Sequence, residues 1–155
     1  MIIDCPFCKN DVIAHSFANE SGYYAIYNHA PVTYGHSLII PDKHVTDLLL
    51  LPEAEFIQLF KFARKVMGFL NDFFKTSEFD MSLQQGVNAG QSIEHLHLHL
   101  IPRRENDLPF GEEWFQKLSE NQLSTLDSKV LLDDEVFKEI SDKLRSTWNS
   151  QFRTL

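Results

Sequence analysis

Cysteine is scarce in this chain: there are two among 155 residues, Cys5 and Cys8. A disulfide framework is therefore not expected, and a chain of this length can bury a core without one. No stretch approaches the roughly 18 consecutive apolar residues of a membrane span. Met1-Ile2-Ile3-Asp4 lacks a basic region and a long apolar run, so it does not read as a secretory signal. Positive charge is also short: 14 Lys and Arg face 22 Asp and Glu, for a net charge of −8. That speaks against a non-specific nucleic-acid binder or a membrane-surface binder, both of which need a basic patch. It leaves room for a small anionic ligand held by a few local donors. Internal repeats, low-complexity tracts and long Gly/Ser linkers are missing too. A cytoplasmic, reducing setting is expected, and there the C-x-x-C of Cys5 and Cys8 suits a metal or redox site better than a structural disulfide.

Apolar residues are plentiful, at 43% with 13 Phe, so a globular fold is expected. We read one domain over residues 1–155, with a core over about 1–104 and a helical extension over 105–155. Tyr23-Tyr24-Ala25-Ile26-Tyr27 and Gly35 to Pro41 read as strands, with Asn28-His29-Ala30-Pro31 as the turn between them. Leu51-Pro52-Glu53 opens a long helix, with proline and acids in its first turn. Phe56, Leu59, Phe60, Ala63, Val66, Met67, Leu70 and Phe74 recur along it at three and four, which is a core stripe. Phe79 to Val87 and residues 94–101 read as further strands. Strands without intervening helices imply an antiparallel meander covered by the long helix, so the fold class is α+β. Glu112 to Leu118 and Asp133 to Trp148 read as helices. Their apolar residues, Phe115, Leu118, Val136, Phe137, Ile140 and Leu144, suit docking on the body or on a second subunit. Trp114 and Phe115 could cap a site or pack on the core.

The richest segment is Gln91-Ser92-Ile93-Glu94-His95-Leu96-His97-Leu98-His99-Leu100-Ile101-Pro102-Arg103. In an extended chain, successive side chains point to opposite faces, so the three histidines share one face and the three leucines the other. Histidine can act as nucleophile, acid, base or metal ligand near neutrality. Three readings stay open from the residues alone. One reads the histidines as surface groups. Another reads them as a zinc site, although same-face positions lie about 6.6 Å apart, so two can converge on one ion more easily than three. Finally, one neutral imidazole can be a nucleophile toward phosphorus, if its other ring nitrogen donates to an acceptor that fixes the tautomer.

His95-Leu96-His97-Leu98-His99-Leu100-Ile101 resembles the His-φ-His-φ-His-φ-φ signature of the histidine triad superfamily of nucleotide hydrolases and transferases. Gly90-Gln91-Ser92 and Pro102-Arg103 match its flanks, as does Pro31-x-x-x-Gly35-His36-x-Leu38-x-Ile40-Pro41 upstream. The resemblance covers roughly residues 5–104. It implies that His97 attacks the α-phosphorus of a nucleotide conjugate, forming a nucleotidyl-histidine that water cleaves to a nucleoside monophosphate. His99 and His36 would line the phosphate site and assist the leaving group as catalytic residues, Gln91 and Ser92 would bind phosphate oxygens or the leaving group, and Gln84 would lie near the phosphates. Asn28 matches the position that holds the ribose hydroxyls. Asn28 also suits a plain turn, Gln84 an exposed strand position, Ser92 a turn hydroxyl and His36 a core histidine.

The same resemblance suggests that Cys5, Cys8, His44 and His95 hold a structural zinc that pins the N-terminal segment beside the site. Free thiols or a redox pair are the alternatives for the two cysteines. The substrate stays open between a dinucleoside polyphosphate, toward which Asn28 and Gln84 lean, and a nucleoside phosphoramidate, toward which the C-x-x-C leans. A nucleotide-binding sensor with vestigial catalysis and a zinc hydrolase with metal at the triad are the competing functions. The resemblance further implies a two-fold homodimer pairing through the long helix and a sheet edge.

Overall fold

The computed structural model describes residues 5–109, 112–123 and 131–152. The Met1–Asp4 segment, read above as no secretory signal, lies outside the described residues. In chain order the elements are α1 (Asn10–Ala14), β1 (Ala18–Glu20), β2 (Tyr23–Tyr27), β3 (Ser37–Pro41), α2 (Glu53–Phe74), β4 (Glu78–Leu83), β5 (Leu98–Arg103), α3 (Trp114–Leu123) and α4 (Asp134–Phe152). The five strands form one antiparallel sheet in the order β1-β2-β3-β5-β4. The α+β class is as expected. The meander runs through β1, β2 and β3. The long helix α2 then carries the chain past the next position to the far edge, and β5 returns between β4 and β3. The triad segment thereby acquires a strand on each side.

Both faces of the sheet are covered, so every residue of β2 and β3 is buried rather than every second one. Tyr23, Ala25, Tyr27, Ile39, Leu98 and Leu100 join the main core with α2 and α4. Tyr24, Ile26, Leu38 and Ile40 face the other way and pack with Cys5 and Phe7 of the N-terminal segment. Pro52 precedes α2, Glu53 and Glu55 occupy its first turn, and Lys75 ends it in the left-handed conformation with φ 57°. Its core stripe is broader than the sequence periodicity: Phe62 and Phe69 are buried as well, where Trp148 of α4 stacks edge-on against both. Phe56, by contrast, is 40% exposed.

Of the strand boundaries that differ from the sequence reading, two shape the surroundings of the triad. β4 stops at Leu83, and a 3₁₀ turn occupies Val87–Ala89. Gly86 takes φ 86° there, which breaks an extended run. The histidine strand begins at Leu98, not at residue 94. The ladder to β3 ends at the Ile39–Leu98 pair. Beyond it Pro41 has no N–H to offer, and its carbonyl accepts from His95 Nε2 at 3.0 Å. The Leu96 N–H goes instead to the Val45 carbonyl. The chain is nonetheless extended enough that Leu96, Leu98 and Leu100 all enter the main core.

The extension is seated on the body. Leu144 and Trp148 lie in the main core, and Arg145 donates to the carbonyls of Ser16 (2.8 Å) and Ala14 (2.5 Å). Trp114 packs with Val32, Ile101 and Leu118 in a smaller cluster. Phe115 and Val136 are exposed.

Candidate active site

The first of the motif histidines, His36, is set up by Gly35. Its φ is 109°, and an added Cβ would stand 3.2 Å from the Phe74 ring and from Pro102. Its N–H donates to the Tyr27 hydroxyl at 3.0 Å. Glycine is required by both conformation and space, and it delivers His36 to the start of β3, fully buried.

The hydrogen bonds around the histidines determine where each proton sits. The Val32 N–H donates to His36 Nδ1 at 3.1 Å, so this nitrogen is an acceptor and the proton is on Nε2. His36 Nε2–H then donates to His99 Nδ1 at 2.9 Å. His99 must therefore carry its own proton on Nε2, and that atom is buried without a partner among the described residues. His97 has the opposite tautomer. Its Nδ1–H donates to the His95 carbonyl at 2.8 Å, leaving a lone pair on Nε2. The His97 and His99 rings lie 4.9 Å apart. The site thus pairs one free imidazole lone pair with one unspent N–H donor.

Burial keeps these rings neutral. It lowers His36 to about 3, with His97 contributing in the same direction. His99 is driven well below the ordinary value by burial, then by His36 and His97. Burial also lowers His97, although its bond to the His95 carbonyl opposes the shift. At neutral pH His97 is an uncharged base with its Nε2 unprotonated, as nucleophilic chemistry requires.

His97 and His99 open into a cleft of about 630 Å³ that Asn28 and Ser92 also line. Asn28 turns its amide nitrogen to 3.3 Å from the His36 ring nitrogens, while its Oδ1 accepts from the Ala30 N–H. His36 sits behind His99. Gln84 and Gln91 are not among the residues lining this cleft. Gln91 Oε1 accepts from the Gly86 N–H at 2.7 Å, and Gln84 Nε2 donates to Ser82 Oγ at 2.9 Å. Each keeps one buried atom without a partner among the described residues, Gln91 Nε2 and Gln84 Oε1. Arg103, a flank of the triad motif, binds Asp80 and Asp107 and holds the turn after β5.

Beside the cleft, Cys5, Cys8, His44 and His95 bring four ligand atoms within 4.8 Å of one another. Both cysteines are free thiols. His95 Nδ1 stands 3.4 Å from Cys5 Sγ and 3.5 Å from Cys8 Sγ, and His44 Nδ1 is 3.4 Å from Cys8 Sγ. Tetrahedral zinc with ordinary Zn–S and Zn–N bonds places such atoms about 3.6 Å apart. The bond from His95 Nε2–H to Pro41 leaves Nδ1 free as a ligand, the usual outer-shell arrangement of a metal-bound histidine. Burial and the adjacent Cys5 push the Cys8 thiol up, a crowding that a dication relieves. The donor set fits zinc. Phe7, inside the C-x-x-C, packs edge-on against His95 and His97 at 5.8 and 5.2 Å.

Much of the cleft wall was not legible beforehand. His15, His29, Leu131, Asp134, Phe137 and Lys138 line it alongside the triad. They come from segments far apart in the chain, and no spacing rule links them.

The fold and the paired histidine motifs define a histidine triad architecture. The chain belongs to the HIT domain family, whose profile matches residues 10–106. It is 35% identical over 116 residues to the asymmetrical bis(5'-nucleosyl)-tetraphosphatase of Schizosaccharomyces pombe, covering 75% of this chain and 64% of that protein. It is 31% identical over 136 residues to the bifunctional bis(5'-adenosyl)-triphosphatase/adenylylsulfatase FHIT of Arabidopsis thaliana, covering 85% of this chain and 72% of the relative. A hypothetical histidine triad nucleotide-binding protein of Sulfolobus tokodaii superposes with a TM-score of 0.68 at 26% identity, covering 96% of each chain.

Proposed function

We propose that this chain is a nucleotide hydrolase that cleaves dinucleoside polyphosphates through a covalent intermediate on His97. One observation carries the reading: an unprotonated His97 Nε2 stands beside an unspent His99 Nε2–H in the same cleft. The names of the polyphosphatase relatives support the substrate class. Nε2 of His97 attacks the α-phosphorus. The P–N bond forms, and the bond to the bridging oxygen breaks. The leaving nucleoside polyphosphate departs as a phosphate anion, stable at neutral pH, so it needs a hydrogen bond rather than a full proton. His99 Nε2–H supplies one, and the phosphate oxygens are met by Ser92 and by the spare amide of Gln91 as its loop adjusts. The imidazolium formed on His97 is held by the His95 carbonyl. Water then attacks phosphorus, the P–N bond breaks, a nucleoside monophosphate leaves, and the water's proton passes to solvent. Asn28 meets the ribose, and Gln84 lies near the phosphates.

His97→Ala is expected to lower turnover of diadenosine tetraphosphate by roughly a thousandfold or more, as loss of a nucleophile does. Acid-quenched wild type carries labelled nucleotide. Full turnover by the variant defeats the mechanism. Assaying adenosine phosphoramidate beside the dinucleotide tests the substrate class.

Zinc on Cys5, Cys8, His44 and His95 gives the reading its structural half. When bound, it ties the N-terminal segment to His95, whose carbonyl orients His97. A second copy of the chain is the expected partner. The open edge strand β4 exposes Phe79 and Met81, and α2 exposes Phe56 and Ile57 nearby, which suits pairing across a two-fold axis. None of the helices among the described residues is long and apolar enough to cross a membrane. Thiol ligands suit a reducing, cytoplasmic compartment.

A further inference from the structure

The HIT profile ends at residue 106, yet the cleft does not end with the residues it covers. Helix α4 supplies Asp134, Phe137 and Lys138 to the wall. Its attachment is specific. The Leu132 N–H donates to the His29 carbonyl, and His29 Nε2 donates back to the Leu132 carbonyl, both at 2.9 Å. This two-bond clamp fastens the start of α4 to the residue next to Asn28. Arg145 fastens the middle of the helix to the carbonyls of Ala14 and Ser16. Between these anchors the Phe137 ring lies 4.6 Å from the His29 ring and 5.5 Å from the His15 ring. All three rings line the cleft, and Ile26 and Leu38 of the sheet line it too.

A nucleotide is chemically divided. Its phosphates need donors, and its base needs flat or apolar surfaces for its faces. His99 Nε2–H and Ser92 supply donors at the end of the cleft that holds the His97 lone pair. The aromatic surface is the run His15–Phe137–His29, with its central ring on α4. We propose that α4 completes the nucleoside-binding end of the cleft, with Phe137, flanked by His15 and His29, as the surface against which the base lies. Asp134, beside His29, and Lys138, paired with Asp142, add exposed charge to the rim next to it. The inference rests on the nucleotide reading above and assigns the extension a part in specificity.

The test compares inhibition of dinucleotide hydrolysis by adenosine 5'-monophosphate and by ribose 5-phosphate, which lacks the base. Stacking against one aromatic ring makes Phe137→Leu weaken the monophosphate about five- to tenfold. Ribose 5-phosphate stays within twofold. Phe137→Tyr restores the monophosphate to within twofold, which a merely space-filling role would not need. Equal losses for both inhibitors, or no loss for either, overturn the proposal. Should Phe137→Leu fold poorly, wild type still decides: nuclear Overhauser contacts between adenine protons and the Phe137 ring support it, and their absence with ligand bound overturns it. A wild type that binds neither compound and cleaves no dinucleotide removes the nucleotide reading itself. A wild type that cleaves well and is indifferent at position 137 removes only the role of α4.

Discussion

At the scale of single residues, the site is an arrangement of protons. Val32, His36 and His99 form a line in which each N–H has one place to go, and the line ends at His99 Nε2. Through this line the charge state of His36 bears directly on His99. In the folded chain His36 binds a proton only near pH 3, whereas an unfolded histidine binds one near 6.5. Between those values the unfolded state holds more protons, so stability is full above pH 6.5 and is lost as pH falls toward 3. Each such group contributes at most about 1.4 kcal/mol per pH unit in that window. His36→Gln is expected to flatten the fall of melting temperature between pH 6.5 and 4 relative to wild type; parallel curves contradict the assignment. Gly35 belongs to this scale too. Gly35→Ala places a side chain at φ 109° and 3.2 Å from Phe74, so urea unfolding is expected to show a loss of roughly 1–3 kcal/mol.

At the scale of elements, the extension behaves as part of the core. Trp148 fills the space beside Phe62 and Phe69, and Leu144 is fully buried. Trp148→Ala is expected to cost about 3–5 kcal/mol in denaturant titration, as deletion of a buried indole does. A cost under 1 kcal/mol would mean that α4 does not hold this place in solution. The alternating leucines of the triad segment are placed by β5 and the stretch before it, and α2 and α4 close over them. The histidines sit on the opposite face because each neighbour along an extended chain reverses direction.

At the scale of the whole molecule, the Cys5, Cys8, His44 and His95 cluster joins the N-terminal segment to the triad segment. A chelator is expected to lower the melting temperature, and Cys8→Ser is expected to lose the metal from a stoichiometry of about one per chain, read by elemental analysis. Turnover surviving full metal removal with an unchanged melting temperature excludes the structural role. Sedimentation should give a dimer through β4 and α2; a monomer at micromolar concentration counts against it. The alternation of His95, Leu96, His97, Leu98, His99 and Leu100 was enough by itself to separate a histidine face from a core face. The Pro31-to-Pro41 motif was enough to point to His36, and the apolar period of α2 to its main buried stripe. These are local properties of spacing, and spacing is written in the chain. The tautomers were not legible, because they depend on the Val32 N–H and the His95 and Pro41 carbonyls, backbone groups whose placement requires the finished sheet. The end of the histidine strand at Leu98 follows from a proline in its neighbour. The clamp of Leu132 on His29 joins residues 103 positions apart, and only the packed tertiary structure decided that α4 would form a wall of the cleft.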